Sequence, residues 1–215
     1  MLAVGLNRKS IKKAAVVIGL AVVMEAWLLP SFENNWHAQD ASQEASMTRR
    51  GVVGYMSGVF SRNRTGLGPH EEVKLAEVIL AESVRHKLDP LLVLALIKTE
   101  STYYNWSKSF SGAIGLMQIR PATGQELAGQ LKLEWNGTET LLNPYLNVKM
   151  GVHYYSSLYA RYNDEEKTLA AYNIGPGRLA SRMRQNKAVS RNYADKVLSN
   201  YKDLKERADY YSYGG

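Results

Sequence analysis

One carboxylate sits where its chemistry would be unusual. Glu100 follows the all-apolar run 91–97 (LLVLALI) by three residues. A helix apolar on every side belongs at the centre of a domain. A carboxyl at the end of such a helix loses hydration, and its pKa rises. An acid still protonated near neutral pH is what general acid catalysis needs. Position alone favours a surface glutamate at a frayed helix end, since most glutamates are exposed. A second segment, 109–118, reads SFSGAIGLMQ. Gly112 and Gly115 would let backbone pass close to a ligand, and Gln118 offers both a donor and an acceptor. The plain alternative is a loop that turns back with Met117 and Ile119 in the core. A third segment, 169–177 (LAAYNIGPG), sets Tyr172 and Asn173 before a Gly-Pro-Gly turn. Taken alone, that pattern is more often a helix cap than a site.

These segments need elements to position them, and the pattern supplies helices. Val73, Ala76, Ile79, Leu80 and Val84 recur at helical spacing, which gives one apolar face. Asp89-Pro90 opens the next helix, with Asp as cap and Pro at the first helical position. Asn143-Pro144 repeats the signal. The helix after it carries Tyr145, Val148, Val152, Tyr155, Leu158, Tyr159 and Tyr162. A short helix is expected over 167–172 and another from about Arg178. The last spans 192–207, with Tyr193, Val197, Tyr201 and Leu204 on one face. No alternating segment reads as a strand, and there is no internal repeat. The expected fold is mostly α.

Composition narrows the function classes. The chain has 215 residues, 45% hydrophobic and 22% charged, which suits a folded domain with extensions. It has no cysteine, so a thiol nucleophile, a disulfide scaffold and a Cys-type zinc site are excluded. His37, His70, His86 and His153 show no ligand spacing, so no metal and no cofactor are expected. The net charge of +7 favours an acidic partner. Arg8, Lys9, Lys12 and Lys13 against Glu25 account for three of those charges, and the body keeps only +4. No dense basic stripe remains, which argues against nucleic acid.

Those four basic residues precede an uninterrupted run of apolar residues and glycine over 14–24. This is the layout of an export signal. No good small-x-small cleavage site follows, so an uncleaved signal anchor in the membrane is the alternative to a cleaved peptide. The expected division is 1–30 signal peptide or anchor, 31–69 flexible tether, 70–207 catalytic domain and 208–215 frayed tail. The apolar residues of 51–60 could dock onto the domain. The exported body would lie in the periplasm or cell envelope.

Taken together, the three segments resemble the transglycosylase SLT domain. That domain is the catalytic module of soluble-type lytic transglycosylases (glycoside hydrolase family 23), with a lysozyme-like, goose-type helical fold. Glu100-Ser101 resembles the family's Glu-Ser motif with its catalytic acid. Gly115-Leu116-Met117-Gln118, continued by Ile119 and Pro121-Ala122-Thr123, resembles the Gly-Leu-Met-Gln motif. Asn143-Pro144 with Asn147 resembles the Asn-Pro-x-x-Asn helix start. Ala171-Tyr172-Asn173 with Gly175-Pro176-Gly177 resembles the Ala-Tyr-Asn motif. Order and spacing agree, and the likeness covers about residues 73–205. Tyr104-Asn105-Trp106 stands where the family often has Asn-Pro, and Arg120 and Ile174 replace commoner residues.

The resemblance implies cleavage of the β-1,4 bond between N-acetylmuramic acid and N-acetylglucosamine in peptidoglycan, without water. The muramyl 6-hydroxyl would attack its own C1 and leave a 1,6-anhydro end. Glu100 would be the catalytic acid and then the base. Tyr172 would orient its carboxyl. Ser109, Met117, Gln118 and Asn173 would line the sugar groove, with Tyr193 as a further groove residue. Ordinary glycosidases use two carboxylates. Glu126, Glu134, Glu139, Asp164, Glu165 and Glu166 lie in no motif, so a single acid is expected. A water-using muramidase of goose-type character and a non-catalytic peptidoglycan-binding module are the rival readings.

Overall fold

The computed structural model describes residues 49–213, with side chains through Ala208. The expected export segment, and the part of the expected tether up to residue 48, lie outside the described residues. A compact unit begins at Gly51. Its helices are α1 over 51–61, α2 (Pro69–His86), α3 (Pro90–Ser101), α4 (Pro121–Gln130), α5 (Thr138–Leu142), α6 (Pro144–Tyr162), α7 (Glu165–Ile174), α8 (Pro176–Arg184) and α9 (Asn192–Tyr213). The described residues hold no strand, only β-bridges that pair Ile114 with Lys108 and with Ile119. None of the helices described is long and apolar enough to cross a membrane.

The two Asx-Pro signals start helices as expected. The Asp89 carboxylate accepts the Leu91 N–H at 2.8 Å, with Pro90 at the first position. The Asn143 side-chain Oδ1 accepts the N–H groups of Tyr145 and Leu146, each at 3.1 Å. These bonds satisfy donors that a helix start otherwise leaves open. α3 is the central helix, and its residues 92–97 are all buried. α9 lies along it, while α6 packs on α2 and α7. Side-chain bonds hold α9 in register on α3. The Tyr201 hydroxyl donates to Asp89 at 2.5 Å, and the Asn200 amide donates to the Thr99 hydroxyl at 2.9 Å.

Three expectations need correction. The tether does not extend to residue 69, because 51–61 is helical. Met56 and Phe60 are fully buried, and the Tyr55 hydroxyl donates to the Leu204 carbonyl at 2.9 Å. Glycines at 51, 54 and 58 disguise the helical period, and each costs about 1 kcal/mol relative to alanine. Burial of the intervening apolar side chains offsets that. The buried face of α2 is also rotated from the one expected. Val73 and Val84 are exposed, while Glu72, Leu75, Ala76, Ile79, Glu82 and Ser83 are buried. Glu72 tolerates burial because the Thr65 hydroxyl donates to it at 2.6 Å, and Glu82 faces Arg85 at 3.3 Å. Finally, α9 continues through the expected tail to Tyr213, and α4 and α5 are elements that periodicity did not announce.

A single buried amide joins the loop before α4 to the start of α6. Asn147 is fully buried. Its amide donates to the Ile114 and Leu141 carbonyls at 3.0 and 2.8 Å, and its oxygen accepts the Met117 N–H at 2.8 Å. Gly115 sits against it at φ +83°, where a Cβ would come within 2.3 Å of the amide nitrogen. Removing this side chain strands the Met117 N–H and the Leu141 carbonyl, while the Ile114 carbonyl keeps the Ile119 N–H at 3.0 Å. Each stranded group costs about 1–3 kcal/mol in the interior. Asn147→Ala should lower unfolding free energy by about 2 kcal/mol or more in urea titration. A loss within about 0.5 kcal/mol, the range of a neutral surface change, would show that the clamp is dispensable.

Candidate active site

Glu100 lies in the last turn of α3. Behind it, Thr102 and Tyr103 take positive φ (51° and 68°), so the chain reverses sharply out of the helix. Asn105, fully buried, anchors the returning loop by donating to the Leu142 carbonyl at 3.0 Å. The segment that follows forms one wall of a groove. Ser109 closes a tight turn, with its hydroxyl accepting from Ala113 at 3.0 Å. Gln118 donates both amide hydrogens inward, to the Ser107 and Gly115 carbonyls at 3.1 and 2.9 Å. What Gln118 can still offer a ligand is its carbonyl oxygen.

The end of α7 forms the opposite wall. The Tyr172 hydroxyl donates to the Met117 carbonyl at 2.9 Å, which ties the two walls together. Tyr154 of α6 packs against the Tyr172 ring, with centroids 5.4 Å apart. Gly175, at φ +87°, turns the chain into α8. Between the walls lies a groove of about 640 Å³. Glu100, Ser109, Gln118, Tyr172 and Asn173 line it, so five of the seven residues singled out in the sequence meet here.

The other two take different places. Met117 is fully buried, and its sulfur and Cβ occupy the space that Gly151 leaves open on α6. Its side chain belongs to the core, and only its backbone carbonyl takes part, as acceptor for Tyr172. Tyr193, in the first turn of α9, is the residue that holds the acid: its hydroxyl donates to Glu100 Oε1 at 2.5 Å. The expected carboxyl-orienting role of Tyr172 therefore passes to Tyr193. The sequence reading also missed Tyr154, Ile119, Arg120 and Arg178 as groove residues. The α6 tyrosines read as core, and nothing in the spacing distinguishes Tyr154 from them. Among the described residues no cluster of three or more His, Asp or Glu could hold a metal ion.

Burial pushes the Glu100 carboxyl up from 4.5 to about 7, against the opposing pull of the Tyr193 hydrogen bond and the Lys196 charge. Tyr172 and Tyr193 are both held well above the usual tyrosine range, by burial first and then by the nearby Glu100 charge. Both remain hydroxyl donors throughout the range in which Glu100 titrates. Among the described residues, Glu100 is the one acid that lines the groove. The arrangement can present a proton to a bound ligand and take one back at the same oxygen atoms.

Two consequences are measurable. Between pH 4.5 and about 7 the folded chain keeps a proton on Glu100 that the unfolded chain releases. Stability from this group is complete below 4.5 and is lost as pH rises through about 7, a loss of about 2–3 kcal/mol by pH 8. Glu100→Gln removes that loss, so its stability relative to wild type should improve by this amount between pH 4.5 and pH 8. An equal difference at both pH values would contradict the desolvation. Tyr193→Phe removes a hydrogen bond that favours the carboxylate, so the Glu100 pKa should move further up. An NMR titration of the variant showing no upward displacement would mean that the bond does not set the carboxyl.

Comparisons with known proteins agree with this architecture. The family described as the Transglycosylase SLT domain matches residues 77–194. The soluble lytic murein transglycosylase of Salmonella typhimurium is 35% identical over 88 residues, which is 40% of this chain and 14% of that protein. Membrane-bound lytic murein transglycosylase C of Histophilus somni is 31% identical over 154 residues, 66% of this chain and 41% of that protein. The chain thus spans less than half the length of these relatives. Among solved structures, an inactive Glu-to-Gln variant of lytic transglycosylase Slt from Pseudomonas aeruginosa superposes with a TM-score of 0.55 at 24% identity. The match covers 62% of this chain and 24% of that one. The mostly helical, lysozyme-like fold is shared. By its sequence and by the helical frame around Glu100, the chain belongs to the transglycosylase SLT domain family.

Proposed function

We propose that this protein cleaves the MurNAc-β-1,4-GlcNAc bond of peptidoglycan as a lytic transglycosylase, with Glu100 as its single acid and base. The observation that carries the reading is the state of Glu100: a desolvated carboxyl, protonated to about pH 7, held by Tyr193 and alone among acids in the groove. Its proton passes to the glycosidic oxygen as the C1–O bond breaks. Positive charge at C1 is taken up by the substrate's own N-acetyl carbonyl oxygen, since no second carboxylate lines the groove to do so. The Glu100 carboxylate then removes the proton from the muramyl 6-hydroxyl, whose oxygen closes on C1. The products are a strand with a free 4-hydroxyl and a 1,6-anhydromuramyl end. Glu100 finishes protonated, and no water is consumed. Desolvation serves both steps, since a carboxyl with a pKa near the ambient pH gives and takes a proton with similar ease.

In this reading Ser109, Asn173 and the Gln118 carbonyl oxygen contact the sugars from the two walls, and Tyr172 keeps the walls at a fixed separation. The setting is the cell envelope, where the polymer lies. An export segment at residues 1–30 would deliver the chain there, whether or not it remains as an anchor.

Digestion of purified peptidoglycan tests the proposal. Mass spectrometry should find fragments ending in anhydromuramic acid, one water lighter than reducing-end fragments. Activity should fall on the alkaline side as Glu100 loses its proton through about pH 7. Glu100→Gln should fold and lose about 10³-fold or more of the rate. Reducing-end products would instead make the protein a hydrolytic muramidase. Intact binding to the wall with no products would make it a binding module.

A further inference from the structure

The groove is electrostatically lopsided. Its charged lining residues are Glu100, Arg120 and Arg178. Both arginines are exposed, and neither makes an ion pair or a side-chain hydrogen bond with any described residue. Neither is placed to help its helix. Arg120 is the N-cap of α4 and Arg178 stands in the first turn of α8. A cation at a helix N-terminus is opposed by the helix dipole. Neither helix has an acidic residue in its first turn to compensate. The two guanidinium groups belong to different walls: Arg120 directly follows the Gln118 loop, and Arg178 follows Gly175 beyond Tyr172 and Asn173. With Glu100 protonated, nothing lining the groove neutralises them.

An unpaired guanidinium facing an open groove is matched by a carboxylate, which it can bind through two parallel hydrogen bonds. The N-acetylated sugar backbone itself is neutral. The anionic groups on the polymer are the carboxylates of its peptide stems. We infer that Arg120 and Arg178 are specificity residues that bind free stem-peptide carboxylates, so that the protein favours strands with ionised stems over strands whose stems are amidated. The inference rests on the peptidoglycan reading above and assigns to that groove a preference among its substrates.

The test compares two substrates, peptidoglycan strands with native stems and the same strands with their carboxylates chemically amidated. On native strands, Arg120→Gln/Arg178→Gln should raise KM roughly tenfold while kcat changes little, as expected when charge-assisted bonds made in ground and transition state alike are lost. On amidated strands, wild type and double variant should share one KM. The wild-type preference for native strands should shrink as salt is raised. Arg120→Lys/Arg178→Lys should recover part of the preference. The melting temperature of the Gln variant should hold or rise, because two cations leave helix N-termini. Equal losses on both substrates, an unchanged KM on native strands, or a lowered melting temperature would each overturn the assignment. A separate arm uses full-length Glu100→Gln and calorimetric binding of the two strand preparations. If wild type yields no products but this variant binds native strands more tightly through the arginines, the catalytic reading has failed and the carboxylate preference stands. Equal binding of both preparations, or binding of neither, would overturn the preference.

Discussion

The removal of one carboxyl from water organises this molecule. Glu100 stands at the end of a helix whose residues 92–97 are all buried, and its own position inherits that dryness. α9 runs along α3 and α2 packs beside it, and both contacts help to bury it. Each polar bond from α9 to α3 therefore bears on the acid, through the register of the two helices. Tyr201 fixes the start of α3 at Asp89, Asn200 reaches Thr99, and Tyr193 reaches Glu100 itself. The same dehydration that readies the proton also weakens the fold above pH 4.5. The hydrophobic contact of α3 with its neighbours offsets that loss.

The second constraint is the loop before α4, which must stand at a set distance from the acid. Its geometry comes from residues that never face the groove. Asn147 receives and gives three bonds to hold it. Gly115 exists so that Asn147 can approach, and Gly151 exists so that Met117 can sink into α6. Tyr172 then ties the loop to α7 through the Met117 carbonyl. Motif residues that look like sugar contacts thus divide into two kinds. Gln118, Ser109 and Asn173 line the groove, while Met117, Asn147 and the glycines shape it.

Much of this was legible in the residues. The apolar run before Glu100 marked a central helix, and the two Asx-Pro pairs marked helix starts. Five of seven candidate site residues share the groove because Glu100, Tyr172 and Asn173 lie at helix ends and the loop that carries Ser109 and Gln118 turns back against them. What failed did so for physical reasons. Periodicity misplaced the buried face of α2, because Glu72 and Glu82 are buried with partners that lie elsewhere on the chain or one turn away. Glycines hid α1, whose helicity depends on burial against the domain. The exchange between Tyr172 and Tyr193 turns on which hydroxyl reaches the carboxyl across 93 residues of sequence, a distance no local pattern encodes. Arg120 and Arg178 carried no motif signal as groove residues, because only the fold brings them to the two walls.

The central claim is that Glu100 titrates far above an ordinary glutamate, and it can be read at the atom concerned. Selective carbon-13 labelling of glutamate side chains, with Glu100→Gln to assign the resonance, follows that carboxyl through its titration. A midpoint at about pH 7 is the predicted result. A midpoint near 4.5, the value of a solvated glutamate, would contradict the desolvated acid on which this account is built.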